Sequence, residues 1–127
     1  MSKGRLLFLV SDDWRDQVRE VFEQDGFEIL IVSSLEDAIE LIEDAKIRAV
    51  VASHDWIVDK GDNSTGLVEA LKDRLPMFGF IRTWHSNIWE TFFSYRYGEY
   101  IHPPFAPDEM LRRLNAVLEK FDRDQQK

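Results

Sequence analysis

Cysteine is absent from the 127 residues, which excludes thiol catalysis, thiolate metal sites and a disulfide scaffold. A reducing, cytoplasmic setting is the unforced expectation. Long apolar runs are missing as well. The first one, Leu6 to Val10, stops at Ser11-Asp12-Asp13, too short for a signal-peptide core or a membrane span, so no membrane partner is expected. Basic clusters are also lacking. Sixteen Lys and Arg are scattered among 24 Asp and Glu, for a net charge of -8, and such a field repels phosphate backbones; nucleic acid is not an expected partner. No P-loop, dinucleotide fingerprint, Ser-His-Asp constellation or H-E-x-x-H pair is visible, so the chain is not read as an enzyme.

What is present is a supply of apolar residues, 44% of the chain, enough to bury one core but not two. Leu6 to Val10 is a continuous apolar run, the pattern of a strand covered on both faces. Trp14, Val18, Val21 and Phe22 follow at helical spacing, and Asp25-Gly26 ends that helix. The unit repeats. Glu28 to Val32 is strand-like, Ser34 with Asp37 resembles a capping box, and Leu35, Ala38, Ile39 and Ile42 form one stripe. Ala49 to Ala52 is a third strand. A polar loop from Asp59 to Gly66 leads to a helix carrying Leu67, Val68 and Leu71, which Leu75-Pro76 ends. Met77 to Ile81 makes a fourth strand, Ser86 to Tyr95 a fourth helix and Tyr100-Ile101 a short fifth strand. In the last helix Pro107 suits the first turn, Asp108 and Glu109 complement the dipole, and Met110, Leu114, Val117, Leu118 and Phe121 form one face. Residues 122–127 are expected to fray as a polar tail.

This alternation predicts an α/β three-layer sandwich with a five-stranded parallel sheet and about five helices, in which ligands gather at the carboxyl ends of the strands. Asp12 and Asp13 sit at such an end, and clustered carboxylate oxygens there suit Mg²⁺. The alternative is helix capping by one Asp beside a solvated neighbour. His54 and His85 also flank strand ends, where an imidazole is either a ligand or merely structural.

The acidic pair, Gly26-Phe27 before the second strand, and the run from Tyr100-Ile101-His102-Pro103-Pro104-Phe105 to Leu111 together resemble response-regulator receiver domains, over nearly the whole chain. The resemblance implies the flavodoxin-like strand order 2-1-3-4-5, with 1–121 as the receiver-like domain. It implies a Mg²⁺ site formed by Asp12, Asp13 and a third Asp that accepts a phosphoryl group, read by a hydroxyl residue and a Lys on the last two strands. An ungapped count places Ser53 at the acceptor position and Ile81 at the hydroxyl position, whereas a two-residue shift places Asp55 and Thr83 there. Strand parity does not separate the two, because residues two apart share a face. The Lys position holds Pro103, which carries no charge to pair with a phosphoryl group. Tyr100 matches the aromatic that reorients on activation, and the Pro103-Pro104 bond is expected to be cis, with a trans turn as the alternative.

The resemblance therefore implies an atypical, cytoplasmic signalling receiver whose phosphorylation site is incomplete. No cofactor is required, and Mg²⁺ is the one ion the site would take. A protein partner, such as a signalling protein or sensor kinase, is expected to bind through the predicted fourth helix, the fifth strand and the last helix, where a second copy of the chain would also fit. Trp84, Tyr95, Tyr97 and Tyr100 are expected to face outward there, since that region has more aromatics than one helix needs to cover a sheet. A phosphorylatable receiver using Asp55 with Mg²⁺ is one alternative. Another is the assembly module of a basic amino-acid decarboxylase, because Gly26-Phe27 through Leu75-Pro76-Met77-Phe78-Gly79-Phe80 to Thr83 is similar to the receiver-like wing domain of those enzymes. Starting with Met1 and ending in a polar tail, the chain is expected to be a complete small protein instead. A flavin phosphate site after the first strand is disfavoured by the acidic, glycine-free loop Ser11 to Trp14.

Overall fold

The structure is a computed structural model that describes residues 3–43, 46–53, 55–56, 65–80, 95–101 and 106–126, with the backbone alone at 13, 14, 65, 66 and 68. Strands β1 (Arg5–Leu9), β2 (Glu28–Ile31), β3 (Ile47–Ser53), β4 (Met77–Phe80) and β5 (Gly98–Ile101) alternate with helices α1 (Asp12–Gln24), α2 (Leu35–Ile42), α3 (Thr65–Leu71) and α4 (Pro107–Gln125). The five strands form one parallel sheet in the order β2-β1-β3-β4-β5, as expected. The predicted helix over 86–95 lies outside the described residues except for Tyr95, which is not helical, and Ile81, His54, Thr83, Trp84, His85, Pro103 and Pro104 lie outside them as well.

Continuous apolar sequence translates into burial on both faces. Leu6, Leu7, Phe8 and Leu9 of β1 are inaccessible to solvent, and so are Val50, Val51 and Ala52 of β3. Phe8, Val51 and Phe78 lie side by side across the sheet. Phe22 of α1 meets the rings of both Phe8 and Phe78 edge-on, with centroids 6.0 and 6.1 Å away. This is the arrangement that the aromatic quadrupole favours. α1 and α4 cover this face, and α2 and α3 pack together on the other. Two sequence signals are realised as local structure: the Ser34 side chain accepts from the Asp37 amide at 3.1 Å, capping α2, and Pro107 opens α4.

Two expectations need correction. The third helix does not run on to Leu75-Pro76. It stops at Leu71, and Lys72 and Asp73 turn into the left-handed region at φ 45° and 61°. The segment beyond Phe121 is not a frayed tail either, since α4 continues through Gln125. Two of its acidic side chains have partners: Asp122 pairs with Arg48 at 3.1 Å and Asp124 accepts from the Tyr97 hydroxyl at 3.0 Å.

One register irregularity interrupts the β1–β3 ladder. Arg5 pairs with Ile47, but Leu6 pairs with Ala49, leaving Arg48 as an extra residue in β3. A bulge re-aims its side chain, and here the Arg48 guanidinium crosses to the Lys3 carbonyl at 2.7 Å and to Asp122.

Candidate functional site

The carboxyl ends of β1 and β3 are joined by a run of hydrogen bonds that begins at Ser11. Its backbone N–H donates to Ser53 Oγ at 3.0 Å, and its own hydroxyl donates to Asp55 Oδ2 at 3.0 Å. Ser53 Oγ in turn donates to the Leu9 carbonyl at 3.4 Å. The second carboxylate oxygen of Asp55 accepts from the Trp56 amide at 3.1 Å. Ser11 occupies the N-cap position of α1, yet its side chain makes no capping bond and instead donates to Asp55.

The two acceptor candidates are thus in very different situations. Ser53 is the last residue of β3 and the one fully buried polar side chain among the described residues. A group this enclosed must have its polar atom satisfied, and the Ser11 amide and Leu9 carbonyl do so. Asp55 lies two positions past the strand end, half-buried, with a carboxylate at the surface of the edge. Parity treats the two positions alike, but β3 ends at Ser53 and Asp55 lies beyond it.

Asp12 opens α1 with a side chain 87% exposed and pairs with Arg15 at 2.8 Å. The Asp13 side chain lies outside the described residues. Among the described residues no group of three or more acidic or histidine side chains is placed to hold a metal ion. Asp12 and Asp55, the described pair of the three expected Mg²⁺ ligands, are each engaged elsewhere, Asp12 by a guanidinium and Asp55 by a hydroxyl and an amide.

On β5, Tyr100 folds over the sheet. A Cβ on Gly79 would lie 2.8 Å from its ring, and one on Gly98 would strike its hydroxyl, so two glycines make the space the ring fills. Burial raises the Tyr100 hydroxyl well above the ordinary tyrosine range, with the Glu99 carboxylate adding to the effect. Behind the strand, Arg113 of α4 binds the Tyr100 carbonyl at 3.0 Å, Glu99 at 3.2 Å and Glu109 at 2.9 Å.

Tyr95 and Tyr97, expected on an outward surface, are core residues at 6% and 3% exposure. The reason is that each hydroxyl finds an acceptor at the margin of the core: Tyr95 donates to the Leu75 carbonyl at 2.5 Å and Tyr97 to Asp124. The Tyr97 ring meets Phe121 edge-on at 5.0 Å. The aromatic excess near β5 is thus partly spent on packing. Ser11, Arg15 and Arg113 escaped the sequence reading; a serine directly before the acidic pair was the only available hint of the first.

Searches by sequence found no matching family model and no matching curated protein. Solved structures do match. The chain superposes with a TM-score of 0.77 on a CheY-like response regulator receiver domain protein from Methanospirillum hungatei, at 19% identity over 97% of this chain and 99% of that one. The signal receiver domain of a modulated diguanylate cyclase from Desulfovibrio desulfuricans gives 0.72 at 16% identity, over 95% and 98% of the two chains. The constitutive lysine decarboxylase of E. coli gives 0.68 at 14% identity, over 95% of this chain but only 18% of the enzyme. The sheet order, the helical layers and these superpositions together show that the chain has the flavodoxin-like fold of response-regulator receiver domains.

Proposed function

We propose that the chain is an atypical receiver that signals by binding a protein partner and whose carboxyl-edge site does not take a phosphoryl group. One observation carries this reading: Asp55, the described carboxylate past the end of β3, has one oxygen on the Ser11 hydroxyl and the other on the Trp56 amide. Phosphoryl transfer has little covalent chemistry for the protein to perform, and depends on positioned positive charge around the moving group. The position that would supply a Lys is Pro103, Arg15 is spent on Asp12, and Arg113 on two carboxylates. With no fixed cation at the edge among the described residues, a phosphorylated Asp55 is not stabilised, and the domain presents one standing conformation to its partner. That conformation needs no cofactor. The surface formed by β5 and α4 is the proposed docking face, with Tyr100 held in place as described.

The reading is tested by incubating the protein with Mg²⁺ and acetyl phosphate, followed by intact mass spectrometry. The expected result is an unchanged mass. A single phosphoryl adduct that Asp55→Ala abolishes would overturn the proposal and make the chain a working phosphoacceptor.

The superposition on the lysine decarboxylase supports a second reading, an assembly module acting inside a larger enzyme. Assembly of that kind predicts self-association through the domain. A strictly monomeric protein by sedimentation at high concentration counts against it.

A further inference from the structure

Three departures from regular backbone geometry border one cavity, at the amino edge of the sheet and opposite to Ser11 and Asp55. The cavity has a volume of about 540 Å³ and is bounded by the end of α2, the starts of β1 and β3, the turn after α3 and the last part of α4. The first departure is Gly4, at φ 117°, where a Cβ would come within 3.0 Å of the Arg48 side chain. The second is the bulge that frees Arg48 from the ladder and swings it over Gly4. The third is the left-handed pair Lys72-Asp73, which delivers Arg74 and Leu75 to the cavity wall. Non-glycine residues in that region each carry a conformational cost, and such costs concentrate where function needs an unusual placement. In an acidic chain, the lining is correspondingly unusual. Lys46, Arg48 and Arg74 stand on the rim against Glu43 and Asp122, while Ile42, Ile47, Leu75 and Phe121 form an apolar floor.

The cations are not equivalent. Arg48 is paired with Asp122. Arg74 has no carboxylate partner among the described residues; its guanidinium lines the cavity and uses one of its five N–H donors on the Ala70 carbonyl at 2.7 Å. A planar guanidinium held on one side, beside an apolar floor, is matched to an anion with an apolar body. We propose that this cavity binds a small amphiphilic anion, a carboxylate or phosphate ester on an apolar body, with Arg74 meeting the charge and Ile42, Leu75 and Phe121 taking the body. The site is separate from the carboxyl edge and does not depend on whether Asp55 is phosphorylated.

The test titrates the full chain with anilinonaphthalene sulfonate and, as a neutral counterpart, N-phenyl naphthylamine. Fluorescence reports binding, amide chemical shifts report its location, and circular dichroism confirms that each variant is folded. One sulfonate probe should bind per chain, shifting the amides of Gly4, Ile47, Arg74 and Asp122. Arg74→Glu should weaken it by about tenfold or more, the loss expected for one charge-assisted hydrogen bond, and should leave the neutral probe within about twofold. Arg74→Gln, which removes charge without reversing it, should fall between. Non-saturable binding, equal effects of Arg74→Glu on both probes, or shifts centred on Ser11 and Asp55 would each overturn the proposal.

Discussion

Ser11 and Asp55 are 44 positions apart in sequence, and the hydroxyl of one holds the carboxylate of the other at 3.0 Å. This single bond fixes the orientation of the acid just past β3, while the Ser11 side chain makes no capping bond to α1. The contribution of the bond can be measured. In a double-mutant cycle of Ser11→Ala and Asp55→Asn, followed by urea denaturation, the coupling energy should be about 1 kcal/mol. A coupling near zero would mean that the bond contributes nothing to the fold.

Ser53 should tolerate less. Ser53→Ala strands the Ser11 amide in a site where its acceptor had no solvent exposure, at a cost of about 1–3 kcal/mol. Ser53→Asp, the change that would install an acceptor by the ungapped count, places a charge inside the sheet edge and should cost more than Ser53→Ala. Urea midpoints measure both. An aspartate variant as stable as the wild type would refute the buried assignment.

Gly79 and Gly98 are predicted to be intolerant of a methyl group. Gly79→Ala drives a Cβ into the Tyr100 ring and should destabilise by about 1–3 kcal/mol through overpacking. Adding Tyr100→Ala removes the obstacle, so the double variant should be more stable than the sum of the two single losses implies. Near-ultraviolet circular dichroism should register the displaced ring in Gly79→Ala alone.

All three tyrosines of the chain have hydroxyls raised above the ordinary value of 10.0, with burial as the leading cause at each. A raised acid binds its proton more tightly in the fold than in the unfolded chain. Its stabilising contribution is therefore complete below the unfolded value and declines as pH rises above about 10. Tyrosinate absorbance should stay flat in the native protein near that pH and then rise together with loss of secondary structure. A gradual rise centred on the ordinary value, with the fold intact, would show that a hydroxyl is exposed.

Truncation after Phe121 should be harmful. It removes the partner of Arg48 and leaves the buried Tyr97 hydroxyl without Asp124, for an expected loss of about 1–2 kcal/mol and a Tm lower by roughly 5 °C. Scanning calorimetry of the shortened chain decides the matter. Combining the truncation with Arg48→Ala should add less than the separate effects suggest, because the two changes remove the same ion pair.

The layers were legible because they follow from period and composition, and the strand order because the resemblance to receiver domains implies it. Leu6 to Val10 could only be a covered strand, and the Met110-to-Phe121 stripe only a helix face. The site was less legible, for identifiable reasons. Whether Ser53 or Asp55 stands at the edge depends on the residue at which β3 ends, and alternation does not encode that. The partnership of Ser11 with Asp55 is a tertiary contact with no local pattern. The outward placement of Tyr95 and Tyr97 failed because a count of aromatics does not show that the Leu75 carbonyl and Asp124 are positioned to receive their hydroxyls. The bulge at Arg48 and the left-handed turn at Lys72-Asp73 likewise leave no trace in the hydrophobic pattern.

The amide of Ser11 has a use of its own. Because it donates to the buried Ser53 side chain of β3, its hydrogen is expected to exchange with solvent when the β1–β3 junction opens. That junction joins segments that are distant in sequence, so this one amide would time the slow, non-local step of assembly, and report whether a bound partner holds the two strands closed.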